Sequence, residues 1–106
     1  MYIESFRKLY SDGKIKWSSH GLVRMQERDI TIDDVANCIL NGEIIEEYIE
    51  QSPAKDSVLI YGKTLSNKVI HIVLWIDSES IYFVTAYFPT LEKFEEDLKT
   101  RRKWYV

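Results

Sequence analysis

Two histidines and a scatter of arginines are the residues of this chain best suited to moving a proton or holding an anion. His20, Arg24 and Arg28 recur at four-residue intervals in SSHGLVRMQERDIT. On a helix that spacing puts them on nearly one side as a polar stripe, with Leu22 and Met25 pointing elsewhere. His71 lies in KVIHIVLWID. Strand alternation there sends Ile70, Ile72, Leu74 and Ile76 to one face and Val69, His71, Val73 and Trp75 to the other. Helices must cover the aliphatic face, which leaves His71 on the second face among apolar neighbours. An ionisable group is costly there unless it is hydrogen-bonded. Each feature has a plain reading and a chemical one. The stripe is either a solvated helix face screened by Glu27 or half of a site. His71 is either a half-buried histidine bonded to a neighbouring strand or tyrosine, or the other half.

The following strand carries Thr85 and Tyr87 on one face and Val84 and Ala86 on the other. Which pair joins His71 depends on the turn at Ser78-Glu79. A two-residue loop sets His71 opposite Ala86, and a three-residue loop shifts the register by one and brings Thr85 and Tyr87 beside it. Neither Ser nor Glu favours the positive φ of a type I′ turn, so the three-residue loop is expected. Near the end of the chain, Arg101 and Arg102 either complement a helix C-terminus or grip phosphate oxygens with their guanidinium forks. There is no glycine-rich phosphate loop, no helical His-Glu-x-x-His and no calcium-loop pattern. Two histidines and a single cysteine, Cys38, far apart in sequence are weak material for a metal site, and no cofactor is expected. Any chemistry is then acid–base chemistry from His, Tyr and Arg.

Positioning such groups needs a scaffold, and 106 residues with 45% hydrophobic content suit one domain spanning 1–106. Three Trp, seven Tyr and four Phe supply core area without disulfides. Residues 2–11 place Ile3, Phe6, Leu9 and Tyr10 at helical spacing, and Asp12-Gly13 stops them. Ser18 or Ser19 can cap a second helix to about Arg28. Thr31 with Asp34 resembles a capping box opening a third helix, TIDDVANCIL, with Val35, Cys38 and Ile39 on one face. From Glu43 the period changes. EIIEEYIE, DSVLIYGK, KVIHIVLWID and SIYFVTAYF read as four mostly antiparallel strands joined at Ser52-Pro53, Ser66-Asn67 and Ser78-Glu79. After Pro89, LEKFEEDLKTRRK reads as a final helix with Leu91, Phe94 and Leu98 inward. The expected class is α+β, with the helices on one face of the sheet.

The formal net charge of −3 argues against a broadly basic nucleic-acid surface, although KTRRK leaves room for a local basic patch. No apolar run approaches the roughly 20 residues of a membrane span, and no basic-then-apolar leader opens the chain. A cytoplasmic location without membrane contact is therefore expected.

Taken together, S-x-H-x-x-x-R-M-x-x-R-x-I at 18–30, N-G-E-I-I-E-x-Y at 41–48, H-I-V at 71–73, T-A-Y-x-P at 85–89 and R-R at 101–102 form a joint pattern. The pattern resembles the bacterial domain-of-unknown-function family 4258 over nearly the whole chain. That family in turn resembles the RelE/ParE and BrnT-type toxins of toxin–antitoxin modules, in which helices pack against an antiparallel sheet. Some of those relatives are metal-independent ribonucleases, and the ParE group acts on gyrase. By resemblance, His20, Arg24, Arg28, His71, Thr85, Tyr87 and Arg101 or Arg102 are the site residues, RNA the substrate and an antitoxin the partner. The chain departs from the family at Asp29, where glycine is common, and in its acidic balance.

Two functions follow from these residues. In an endoribonuclease the RNA 2′-hydroxyl is the nucleophile, His71 or Tyr87 the base and His20 the acid, with Arg28 and a tail arginine stabilising the phosphorane. The rival is a non-catalytic protein-binding module, its interface built from GEIIEEYIE and exposed aromatics. The nuclease requires His20, His71 and Tyr87 to meet in one cleft with an arginine.

Overall fold

The computed structural model describes residues 2–49 and 56–103; the expected Ser52-Pro53 turn lies outside the described residues. Three helices, α1 (Ile3–Ser11), α2 (Ser19–Glu27) and α3 (Ile32–Asn41), are joined by five strands. The strands are β1 (Ile15–Trp17), β2 (Glu43–Tyr48), β3 (Asp56–Lys63), β4 (Val69–Ile76) and β5 (Ile81–Tyr87). The helix boundaries follow the local chemistry. Gly13 takes a left-handed φ of 74° after α1, and the Ser18 hydroxyl accepts the Gly21 amide to cap α2. Thr31 and Asp34 form the reciprocal capping box of α3.

The strands form one sheet in the order β1-β5-β4-β3-β2. From β2 to β5 it is an antiparallel meander, as the alternation predicts. The fifth strand corrects the expected four-stranded, mostly antiparallel sheet. Ile15, Lys16 and Trp17 pair in parallel with Ile81, Tyr82 and Phe83, and the sheet is mixed. Three residues are too few for a period of two to register against a neighbouring helix.

All three helices lie on one face. Phe6, Met25, Ile30, Val35, Cys38 and Ile39 pack there against Val58, Ile60, Ile70, Ile72, Leu74, Ile81, Phe83 and Ala86. Close approach depends on two glycines. A Cβ on Gly21 would stand 2.8 Å from the Phe83 ring, and one on Gly62 would stand 2.5 Å from the Cys38 sulfur. These contacts seat α2 on β5 and α3 on β3.

The hairpin after β4 differs from the expected three-residue loop. Ile76 pairs with Ile81, and the Asp77 amide donates to the Ser80 carbonyl, the register of a two-residue loop. Neither Ser78 nor Glu79 has positive φ. The Asp77 carboxylate instead accepts the amides of Glu79 and Ser80, an Asx-type turn. The one-residue shift comes later. Leu74 faces Phe83 but Val73 faces Thr85, so Val84 is the extra residue of a β-bulge. The bulge moves Thr85 and Tyr87 to the second face, and His71 pairs with Tyr87 after all.

The expected C-terminal helix is absent. Residues 90–102 form an irregular strap with a bridge between Phe94 and Arg101. The spacing of Leu91, Phe94 and Leu98 is helical, but Asp97 draws the backbone elsewhere. Its carboxylate accepts the amides of Lys99 and Thr100 and the Thr100 hydroxyl, a local bond that competes with helix. Leu98 takes φ 58°, and the Glu95 and Arg102 amides bond back to Thr100 and Lys93. Of the three expected inward residues only Phe94 is fully buried, while Leu91 remains 56% exposed. The strap lies on the second face, opposite the helices, because that is where Phe94 meets His71.

Candidate functional site

Two cross-strand pairings assemble the second-face site. Tyr61, His71 and Tyr87 stand in register on β3, β4 and β5, which places their rings side by side. His71 is completely buried. The Phe94 ring meets it edge-on at 4.6 Å. Its Nδ1 lies 3.2 Å from the Tyr87 hydroxyl and its Nε2 lies 2.6 Å from the Leu98 carbonyl oxygen. Both ring nitrogens are therefore occupied. Burial holds the imidazolium below the ordinary histidine range, against the Leu98 bond and the charge of Glu46, which raise it.

Arg28 arrives from the helical side. It is the C-cap of α2, followed by Asp29 at φ 58°. The Asp29 amide donates to Gln26 and the Ile30 amide to Met25, the bond pair of a Schellman motif. Asp29 occupies the left-handed position where glycine is easiest, which accounts physically for the residue expected there. The turn aims Arg28 across the sheet edge, and its Nη1 donates to the Ala86 carbonyl at 2.7 Å and the Thr85 hydroxyl at 3.2 Å. Among the described residues it forms no ion pair with a carboxylate.

Arg101 comes from the strap. It donates to both oxygens of Glu46, at 3.1 and 3.0 Å, and its guanidinium lies 4.9 Å over the Phe94 ring. Tyr48 donates to the same carboxylate. Burial raises the Glu46 carboxyl, but the bonds from Arg101 and Tyr48 outweigh it and hold the group below the usual carboxylate range. Arg101 is in turn held above its ordinary value by Glu46. Burial raises the Tyr87 phenol, and the nearby Arg101 charge opposes that rise.

These groups surround a cleft of about 510 Å³ lined by Arg28, Thr85, Tyr87, Phe88, Thr90, Lys93, Phe94 and Arg101. Cationic groups thus enter from a helix end and from the strap, a phenol forms part of the wall, and an imidazole sits behind it. A cleft of this size suits a small ligand or one segment of a polymer.

The expected site residues separate into two groups. Arg28, His71, Thr85, Tyr87 and Arg101 come together. His20 does not line this cleft. It is exposed on the first turn of α2, eight residues before Arg28 and so roughly 12 Å away along the helix axis. Arg24 pairs with Glu27 at 2.8 Å. Arg102 holds the strap together through the Leu91 carbonyl and Glu95. Glu46, Phe88, Lys93, Phe94 and the Leu98 carbonyl went unrecognised in the sequence. Phe88 is the unspecified position of T-A-Y-x-P, so the motif carried no signal for it. Lys93 and Phe94 were absorbed into a helical pattern, whereas Glu46 is a specified position of N-G-E-I-I-E-x-Y, the signal that could have found it.

Among the described residues no group of three or more His, Cys, Asp or Glu side chains could hold a metal ion. No helix there is long and apolar enough to cross a membrane. No curated protein and no solved structure matches the chain. One family model does, over residues 17–88, a span that contains Arg28, His71, Thr85 and Tyr87 and stops short of the strap. With more than half its length matched, the chain belongs to the family described as Domain of unknown function (DUF4258).

Proposed function

We propose that this protein is a toxin-like, metal-independent endoribonuclease of a bacterial toxin–antitoxin module. The observation that carries the reading is the Tyr87–His71 pair standing at a cleft lined by Arg28, Lys93 and Arg101. RNA brings its own nucleophile, so the protein must supply a base, an acid and positive charge. Tyr87 takes the 2′-hydroxyl proton as its own proton passes to Nδ1 of His71. The 2′-oxygen attacks the adjacent phosphorus, and Arg28 and Arg101 hold the charge that develops on the non-bridging oxygens. The bond to the 5′-oxygen breaks, and Lys93 protonates the leaving oxygen. Water then carries the proton from the His71–Tyr87 pair back to bulk and restores the Lys93 ammonium. The products are a 2′,3′-cyclic phosphate and a free 5′-hydroxyl. Lys93 replaces His20 as the acid in this scheme, because His20 is outside the cleft lining.

The test is cleavage of purified RNA by wild type, Tyr87→Phe and Arg28→Ala. A positioned acid–base group contributes about 10²–10⁴-fold in rate, so Tyr87→Phe should fall by that much while His20→Ala cleaves at the wild-type rate. Wild-type protein that leaves RNA intact, or a fully active Tyr87→Phe, removes the reading.

A second feature favours the protein-binding alternative. Lys16, Tyr82, Trp75, Ser57 and Tyr48 form one register-aligned row across all five strands. Trp75 and Tyr48 in it are 45% and 47% exposed. Tyr and Trp are suited to interface anchors. If this row is the functional surface, Trp75→Ala abolishes capture of the partner encoded beside the gene and Tyr87→Phe does not.

A further inference from the structure

The hydrogen bond on His71 that comes from neither neighbouring strand is to a backbone carbonyl, and the residue supplying it has unusual geometry. Leu98 sits at φ 58°, a region that L-residues avoid by roughly 1–2 kcal/mol. Its side chain is only half-buried, so packing alone does not call for that conformation. The surrounding strap does hold it. The Asp97 carboxylate accepts the amides of Lys99 and Thr100, and the Leu98 amide donates to the Glu95 carbonyl at 2.9 Å. Farther out, Arg101 is anchored on Glu46 and Lys99 on Glu43 at 3.1 Å. The result of all these bonds is a carbonyl oxygen 2.6 Å from His71 Nε2.

We infer that Leu98 is a positioning residue, whose left-handed backbone sets the tautomer of His71 and thereby the direction of the Tyr87 hydroxyl. A carbonyl oxygen can only accept a hydrogen bond, so Nε2 carries the ring proton. Nδ1 is then a bare lone pair, and the Tyr87 hydroxyl must donate to it. With its proton turned inward, the Tyr87 oxygen presents lone pairs to the cleft. Tyr87 meets a ligand as an acceptor and a base, never as a donor. The opposite tautomer would put a proton on Nδ1, turn the Tyr87 hydroxyl outward and leave the Leu98 carbonyl unsatisfied in a buried setting. This inference rests on the nuclease reading for the role of Tyr87 as base, and its structural half is measurable without any substrate.

The experiment uses the full-length protein labelled with nitrogen-15 and records the ring nitrogens of its two histidines near neutral pH. His20 is exposed and serves as the internal reference for a solvent-averaged ring. His71 should show a protonated Nε2 and an unprotonated, hydrogen-bonded Nδ1. Two variants separate backbone geometry from packing. Leu98→Gly deletes the side chain but accepts the left-handed conformation; Leu98→Ile keeps the volume but is β-branched and resists it. The tautomer should survive in Leu98→Gly and shift towards the averaged pattern of His20 in Leu98→Ile. RNA cleavage should follow the same order, with Leu98→Ile reduced by up to about 10²-fold, the lower end of what a positioned base supplies. A protonated Nδ1 in wild type overturns the inference. So does the reverse ranking, with Gly disruptive and Ile harmless, which marks a packing role. Expected ring signals in a protein that cleaves no RNA would remove the nuclease reading and leave the tautomer assignment standing.

Discussion

On one side of β4, Ile70, Ile72 and Leu74 are fully buried beneath three helices, in contact with other apolar side chains. On the other side of the same strand His71 is equally buried, yet it sits in a web of directional contacts. Tyr87, Leu98 and Phe94 meet it directly, and Glu46 and Arg101 stand close behind. Both sides exclude water, but they tolerate change differently. Apolar packing is non-directional and scales with area, so the helical side asks for shape and volume. A buried polar network depends on every partner, because an orphaned donor or acceptor costs more than the bond itself contributes. Volume-conserving apolar swaps should therefore be tolerated on the helical side, where loss of any one polar partner is not tolerated on the strap side.

The largest stability effect should come from the helical side. Ile72→Ala removes a fully buried side chain and should cost about 2–5 kcal/mol in urea unfolding. The tautomer of His71 should be unchanged in the folded variant, since Ile72 points the other way. A loss well under 1 kcal/mol would mean that the helical face is not the packed core described above.

The strap side should reveal itself through pH instead. Burial depresses the folded value of His71 below its ordinary 6.5, so the unfolded chain binds the proton first as pH falls. Stability from this source is complete above about pH 6.5 and declines as pH drops towards the folded value. Glu46 and Asp34, depressed below 4.5 and 3.8, add losses at lower pH still. Urea midpoints measured between about pH 7 and pH 5 should fall for wild type. They should stay flat over that range in His71→Phe, and equal slopes in the two proteins would contradict a buried neutral imidazole.

The smallest effect should be at the strap's outer rim. Lys99 and Glu43 pair at 3.1 Å, with side chains 37% and 56% exposed. Lys99→Ala should change stability by less than about 1 kcal/mol, because exposed ion pairs are screened and entropically costly. A markedly larger loss would show that the strap is held at its rim rather than by Phe94, Leu98 and Arg101.

Much of this arrangement was legible before folding. Ser18, Thr31 and Asp34 cap helices through bonds spanning three residues, so their roles are written locally. The alternation in KVIHIVLWID placed His71 on the second face, since a period of two needs no knowledge of the partner strands. The joint motif pattern brought Arg28, Thr85, Tyr87 and His71 into one set. The hairpin rule named the right neighbours by the wrong route, because the bulge at Val84 is a property of the paired strands and leaves no mark in the β5 sequence.

The sequence by itself determined the α+β class, the helical face of the sheet and the side of β4 from which His71 projects. All three depend on periodicity and capping over a few neighbouring residues. Only the tertiary structure decided that β1 joins β5, that 90–102 is a strap rather than a helix, that Lys93 and Phe94 complete the cleft while His20 does not line it, and that the Leu98 carbonyl meets His71. Those outcomes turn on contacts between residues far apart in the chain. A single carboxylate at Asp97 and a burial site for Phe94 outweighed a helical pattern that looked complete on its own.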